Sequence, residues 1–222
     1  MSLLNRKKEF WKKFENSILE IIELAIDLFQ EKKPFPEKED DLNRAFFSCL
    51  IEANYILQKE KRGQPCAPMY EANNQPKFEE GKRTIREFKR PDFQWSIMDT
   101  LEPDPLKSSK QFVLECKRLG LPNGNWVFNE NYVTHGIKRF VSKEHGYAYG
   151  VESSAMLGYV QDMDIYEILS EVNINIDSIK QQQLSETQKK NITLYLSHIL
   201  KLEYNEDAMR LIHLWIDLRK SY

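Results

Sequence analysis

Residues 111–117, QFVLECK, form an apolar run that ends in a carboxylate and an ammonium one residue apart. Side chains of a strand alternate with period two, so Glu115 and Lys117 project to the same side. A second carboxylate opens the preceding apolar stretch, where Arg90, Pro91 and Asp92 lead into DFQWSIM at 92–98. If the two stretches pair as a hairpin, Asp92 and Glu115 come within reach of a common cation, with Lys117 beside them. Hard divalent metals such as magnesium are held by one or two carboxylates plus water and phosphate oxygens. Phosphodiester hydrolysis uses that arrangement. The ion neutralises the phosphate and lowers the pKa of a bound water, while a lysine orients that water or stabilises the charge that develops.

Proline-aspartate, then about two dozen residues, then acid-x-lysine on a hydrophobic strand resembles the motif of the PD-(D/E)xK nucleases, the restriction-endonuclease-like superfamily. The resemblance covers roughly residues 39–160. It implies an α/β fold with a central mixed β-sheet flanked by helices. It also implies a magnesium-dependent endonuclease, with manganese as a substitute ion, that cuts double-stranded DNA in a restriction or other defence role. In the family an acid on the helix before the hairpin joins the metal site. Glu39 is the first choice, because Leu42 and Phe46 then face the core, and Asp40 and Glu52 are the alternatives. The expected metal ligands are thus Asp92, Glu115 and Glu39, with Lys117 completing the catalytic set. The family's next helix meets the nucleic-acid backbone, and NYVTHGIKRF supplies His135, Lys138 and Arg139 for phosphate contacts. Such enzymes often dimerise, so a homodimer is one option.

Acid-x-lysine alone is a weak signal, since Glu31-Lys32-Lys33, Glu80-Gly81-Lys82 and Glu87-Phe88-Lys89 also carry it. Glu115-Cys116-Lys117 alone stands downstream of Asp92 and after an apolar run. Its bland alternative is a surface ion pair on a strand end, worth about 0 to 1 kcal/mol. The corresponding alternative for the chain is an inactive nuclease-fold module that binds nucleic acid or a partner protein.

The elements that must position these residues are legible from periodicity. Phe10, Phe14, Ile18, Ile21, Ile22, Ala25, Leu28 and Phe29 predict one long amphipathic helix over 4–31. KKPFPEKEDD breaks it, and from Asp41 the series Leu42, Ala45, Phe46, Cys49, Leu50, Ala53 and Ile56 predicts a second. Residues 61–81, rich in Gly, Pro, Asn and Gln, read as a loop. Strands are expected at RTIREF (83–88), DFQWSIM (92–98) and QFVLECK (111–117). A helix over 129–144 and a buried strand over GYAYGVESSAMLGYV (146–160), leading into another helix, follow. The last third, with Leu194, Ile199, Leu202, Met209, Ile212, Trp215 and Ile216, reads as two or three further helices. Three regions result: an N-terminal helix (1–36), a nuclease-type core (37–160) and an α-helical C-terminal region (161–222).

Net charge is −2, so any affinity for a polyanion must come from local patches. KFEEGKRTIREFKR, residues 77–90, is one such patch, with six basic and three acidic residues. Lys82 and Arg83 within it are candidate phosphate contacts. Cys49, Cys66 and Cys116 form no CxxC pair, which points to free thiols and a cytoplasmic setting. The most apolar N-terminal stretch is interrupted by Glu20, Glu23 and Asp27, so no membrane span is expected. Asp99, Glu102 and Asp104 read as turn residues and Asp162 and Asp164 as a helix start. None of His135, His145, His198 and His213 is paired at the spacing of a helical zinc motif, and His198 and His213 read as helix-face residues. No GxxxxGK[ST], GxGxxG or GxSxG is present, which argues against a P-loop nucleotidase, a Rossmann dehydrogenase and an α/β-hydrolase.

Overall fold

The computed structural model describes residues 3–76, 81–204 and 208–219. The two expected helices open the chain as Leu3–Gln30 (α1) and Glu39–Lys59 (α2). Their stripes are buried: Phe14, Ile18, Ile21, Ile22 and Phe29 on α1, and Leu42, Phe46, Cys49, Leu50 and Ala53 on α2. The first turn of α2 holds Glu39, Asp40 and Asp41, where the positive end of the helix dipole favours negative charge.

A two-residue strand, Met69–Tyr70 (β1), precedes the hairpin of Phe93–Met98 (β2) and Ser109–Leu119 (β3). Two short helices, Phe128–Tyr132 (α3) and Lys138–Val141 (α4), are joined by a π turn over Val133–Ile137. The strand Ser153–Val160 (β4) then leads into Ile165–Ser178 (α5), whose start is capped by the Asp164 carboxylate on the backbone N–H groups of Tyr166 and Glu167. The chain ends in three strands, Ser185–Lys190 (β5), Thr193–Lys201 (β6) and Ala208–Asp217 (β7).

All seven strands form one mixed sheet in the order β1-β2-β3-β4-β7-β6-β5. Strands β3, β4 and β7 run parallel at its centre, and the outer pairs are antiparallel. Helices α1 and α2 cover one face, where Phe29 and Phe46 meet Phe93, Leu114, Cys116 and Tyr159. The other face carries Val113, Leu119, Met156 and Trp215 against Tyr132, Ile137, Phe140, Ile168 and Val172 of α3, the π turn, α4 and α5. The architecture is therefore α/β, a seven-stranded mixed sheet between two helical layers.

The C-terminal third departs from expectation. It holds one helix, α5, and then three strands, not two or three helices, and it supplies nearly half of the sheet. The reason lies in the period. Leu194, Leu196, His198 and Leu200 are buried in alternation along β6, and Met209, Leu211, His213 and Trp215 along β7. The three- and four-residue spacings were by-products of two strands, one of them apolar on both faces because it sits inside the sheet. His198 and His213 are accordingly buried strand residues, not helix-face residues. RTIREF is also not a strand. Thr84 and Glu87 form a reciprocal capping box that starts a 3-10 helix at Ile85–Phe88. Cys49, Cys66 and Cys116 are free thiols. Among the described residues no helix is long and apolar enough to cross a membrane.

Candidate active site

The site arises from a mismatch in strand length. The β2–β3 ladder runs from Met98 opposite Ser109 to Phe93 opposite Leu114, so residues 115–119 of β3 continue beyond the end of β2 and keep only β4 as a partner. On the abandoned edge the backbone N–H groups of Cys116 and Arg118 lack strand acceptors, and a buried N–H must find one. Two carboxylates take their place. Asp92 Oδ2 accepts from Cys116 N at 2.6 Å, and Glu39 Oε2 accepts from Arg118 N at 3.2 Å. Asp92 comes from the residue just before β2 and Glu39 from the first residue of α2.

Glu115 and Lys117 project from the same stretch of β3. Leu114 and Cys116 face the α1–α2 layer, whereas Glu115 and Lys117 alternate with Val113 and Leu119 of the opposite face. Glu115 is fully buried and Lys117 is 8% exposed, which excludes the surface ion pair. The Lys117 ammonium makes three contacts: Glu39 Oε1 at 2.8 Å, Glu115 Oε1 at 3.0 Å and the carbonyl of its neighbour Cys116 at 2.7 Å. Arg139, on the first turn of α4, donates to the same Glu115 Oε1. The other oxygen, Glu115 Oε2, is buried without a hydrogen-bond partner.

Charge and burial oppose one another here. Burial and the neighbouring Glu115 push the Asp92 carboxyl up to about 8, against the opposing pull of Lys117 and the Cys116 N–H. Burial alone would lower the Lys117 ammonium, but Glu115, Asp92 and Glu39 together raise it above its ordinary value. Burial would likewise lower Arg139, and Glu115 raises it. Lys117 therefore stays a cation at any physiological pH, a hydrogen-bond donor and not a proton acceptor.

Two residues that sequence reasoning passed over shape the site. Gly136 lies in the π turn directly over Lys117: a Cβ there would sit 3.4 Å from Lys117 Cγ and 2.4 Å from Met156 Cε. Only a bare backbone lets the turn press the lysine stem onto the sheet, and such π turns recur at functional sites. Tyr147 stands on the other flank, its hydroxyl raised by burial and by Glu115. Neither was singled out in the sequence: Gly136 lay inside the helix expected over 129–144, and Tyr147 inside the strand expected from 146, which in the structure begins only at Ser153.

The remaining expected residues fall in two groups. Glu39 joins the cluster, while Asp40 is exposed and the exposed Glu52 pairs with Lys32 at 3.9 Å. The two Glu39 oxygens accept from Lys117 and from the Arg118 N–H. Arg139 is on Glu115. His135 and Lys138 are exposed beside it on the π turn and α4. Lys82 and Arg83 make no contact with the cluster: both are exposed, and the Arg83 guanidinium lies over the Phe88 ring at 3.9 Å. Of the basic stretch 77–90, residues 77–80 lie outside the described residues.

Among the described residues no group of three or more His, Cys, Asp and Glu side chains is gathered closely enough to hold a metal ion by itself. The donor set suits a cation that needs fewer protein ligands. Asp92 and Glu115 offer two hard carboxylates, one with an unused buried oxygen, which matches an ion that keeps water and phosphate oxygens in its remaining positions. Comparison with protein-family models, with curated proteins and with solved structures finds no match for this chain.

Proposed function

We propose that the chain is a metal-dependent endonuclease of the PD-(D/E)xK, restriction-endonuclease-like type, hydrolysing phosphodiester bonds in duplex DNA in a restriction or defence role. The observation that carries this reading is Glu115 Oε2. A carboxylate oxygen buried without a partner is roughly several kcal/mol less favourable than a solvated one, and a bound cation would satisfy it. It stands on the strand end where Asp92, Glu39 and Lys117 converge, the residue types and order of the motif.

Asp92 and Glu115 are the residues that would hold the ion, magnesium or manganese. When bound, the ion supplies charge neutralisation at the phosphate and a water of lowered pKa. The chain's own residues do the rest. Lys117, held charged, stabilises the negative charge that builds on the attacking water or a phosphate oxygen, donating to it directly once it gives up one of its three present acceptors. It does not take the water's proton. Glu39 fixes the ammonium from one side while Gly136 confines the stem from above, so the donor is oriented before substrate arrives. Exposed His135 and Lys138, on the segment that carries Arg139, are suited to backbone phosphates.

One observation favours a second reading, an inactive nuclease-fold module that binds nucleic acid or a partner protein: Lys117 and Arg139 already neutralise Glu115 without any ion. Calorimetric titration with manganese separates the two. The nuclease reading expects one saturable site lost in Asp92→Ala, and absence of binding favours the module.

A further inference from the structure

Arg139 is bound to the carboxylate that the proposed function needs for the ion. Its guanidinium rests on Glu115 Oε1, the oxygen that Lys117 also reaches, so two cations share one carboxylate oxygen while its twin has none. The two cations differ in freedom. The Lys117 side chain is 10% exposed, pinned by Glu39, by the Cys116 carbonyl and by Gly136 above it. The Arg139 side chain is 28% exposed, and among the described residues Glu115 is the one carboxylate it is paired with. A divalent ion arriving between Asp92 and Glu115 brings two further positive charges against both. The repulsion falls on the side chain that can leave.

We propose that Arg139 is a placeholder for the divalent ion: it holds Glu115 in the ion-free protein, is displaced when the ion binds, and then presents its guanidinium to a substrate phosphate. This rests on the nuclease reading and adds a coupling to it. A planar guanidinium suits the second task, since its fork matches two phosphate oxygens. Its place suits it too, next to exposed Lys138 and on the same segment as exposed His135. Ion loading and backbone binding are then linked through one side chain, and each favours the other, because thermodynamic coupling is reciprocal.

The test is manganese binding measured by calorimetry, without nucleic acid, for the wild type and for Arg139→Gln. Removal of the competing cation is expected to tighten manganese binding by roughly tenfold, a typical size for coupling between sites. Binding of a short duplex in calcium is expected to weaken, with the slope of log affinity against log salt reduced by about one. Equal or weaker manganese affinity in Arg139→Gln overturns the inference, since the arginine would then be a fixed support of Glu115. If that variant does not fold, arginine-specific labelling with phenylglyoxal, mapped by peptide mass in the wild type, decides. Arg139 is expected to label faster with manganese present; an unchanged or slower rate overturns the proposal. A wild type that binds no manganese removes this inference and the nuclease reading together. One that binds manganese and cuts DNA, with Arg139→Gln indistinguishable, removes only this inference.

Discussion

Replacing Lys117 by methionine separates the structural from the chemical work of one ammonium. Methionine keeps an unbranched apolar stem beneath Gly136, so the change leaves no large void under that turn. What goes is a charge, 8% exposed, that bonds Glu39 at 2.8 Å and Glu115 at 3.0 Å. Breaking a buried pair costs about 3 to 5 kcal/mol, because the remaining charge is left uncompensated. In a chain of 222 residues each kcal/mol moves Tm by about 2–4 °C, so metal-free Lys117→Met is expected to melt roughly 6 to 20 °C lower. An exposed pair would have cost at most about 1 kcal/mol. Manganese brings back positive charge, so the rise in Tm on adding it is expected to be larger in the variant than in the wild type. Chemistry does not return with it. Single-turnover cleavage in magnesium is expected to stay on the order of a hundredfold or more below wild type, with duplex binding in calcium little changed. Thermal melts with and without manganese, beside single-turnover rates, read all of these. A Tm within about 2 °C of wild type would refute the buried network. Cleavage at the wild-type rate would refute the catalytic role.

Three further outcomes follow from the same geometry. Asp92→Asn keeps an acceptor for the Cys116 N–H and removes a carboxyl whose ionised form burial and Glu115 disfavour, so its metal-free Tm is expected to rise while the manganese-induced shift disappears; paired melts check both. Gly136→Val drives a side chain toward Met156 and Lys117, an overpacking worth about 1 to 3 kcal/mol. Its kcat is expected to fall with manganese affinity unchanged, measured by single-turnover rates and calorimetry. The third concerns pH: burial holds His198 down at about 4, and burial together with His198 holds His213 well below its ordinary value. Their rings stack at 5.8 Å, and Tyr132 joins His213 Nδ1 at 2.7 Å. Because the unfolded chain then binds these protons more tightly, the stability they contribute is full above about pH 6.5 and is lost as pH falls toward 4. Asp92, raised to about 8, shifts stability the opposite way over this range. The histidine part is therefore read as the difference between wild type and His198→Phe in urea unfolding at pH 7 and pH 5, the variant being expected to lose less on acidification.

The parts of this molecule legible in the sequence are those whose signal is local. The stripes of α1 and α2 repeat over several turns, and the hairpin is marked by two apolar runs with a Pro-containing loop between them. The grouping of the candidate residues was legible for the same reason: Asp92, Glu115 and Lys117 sit at strand ends, and Glu39 at a helix start with Leu42 and Phe46 fixing which way the helix faces. What stayed hidden depends on partners distant in sequence. Leu194, Ile199 and Leu202 satisfy a helical spacing by coincidence, and only their place beside β7 reveals the period of two. RTIREF has the composition of a strand, but the Thr84–Glu87 capping box prevails. Arg139 read as one more phosphate contact because the sequence does not say that α4 lies over Glu115. Nor does it say that α2 brings Glu39 to Lys117 and to the Arg118 N–H.

The central claim is that Asp92, Glu115 and Lys117 form an ion-dependent phosphodiesterase centre. Incubation of supercoiled plasmid with the wild type and Asp92→Ala, each in magnesium and in EDTA, tests it most directly. The account expects nicked and linear products only for the wild type in magnesium. Intact plasmid in every lane, or equal cutting by the two proteins, would contradict it.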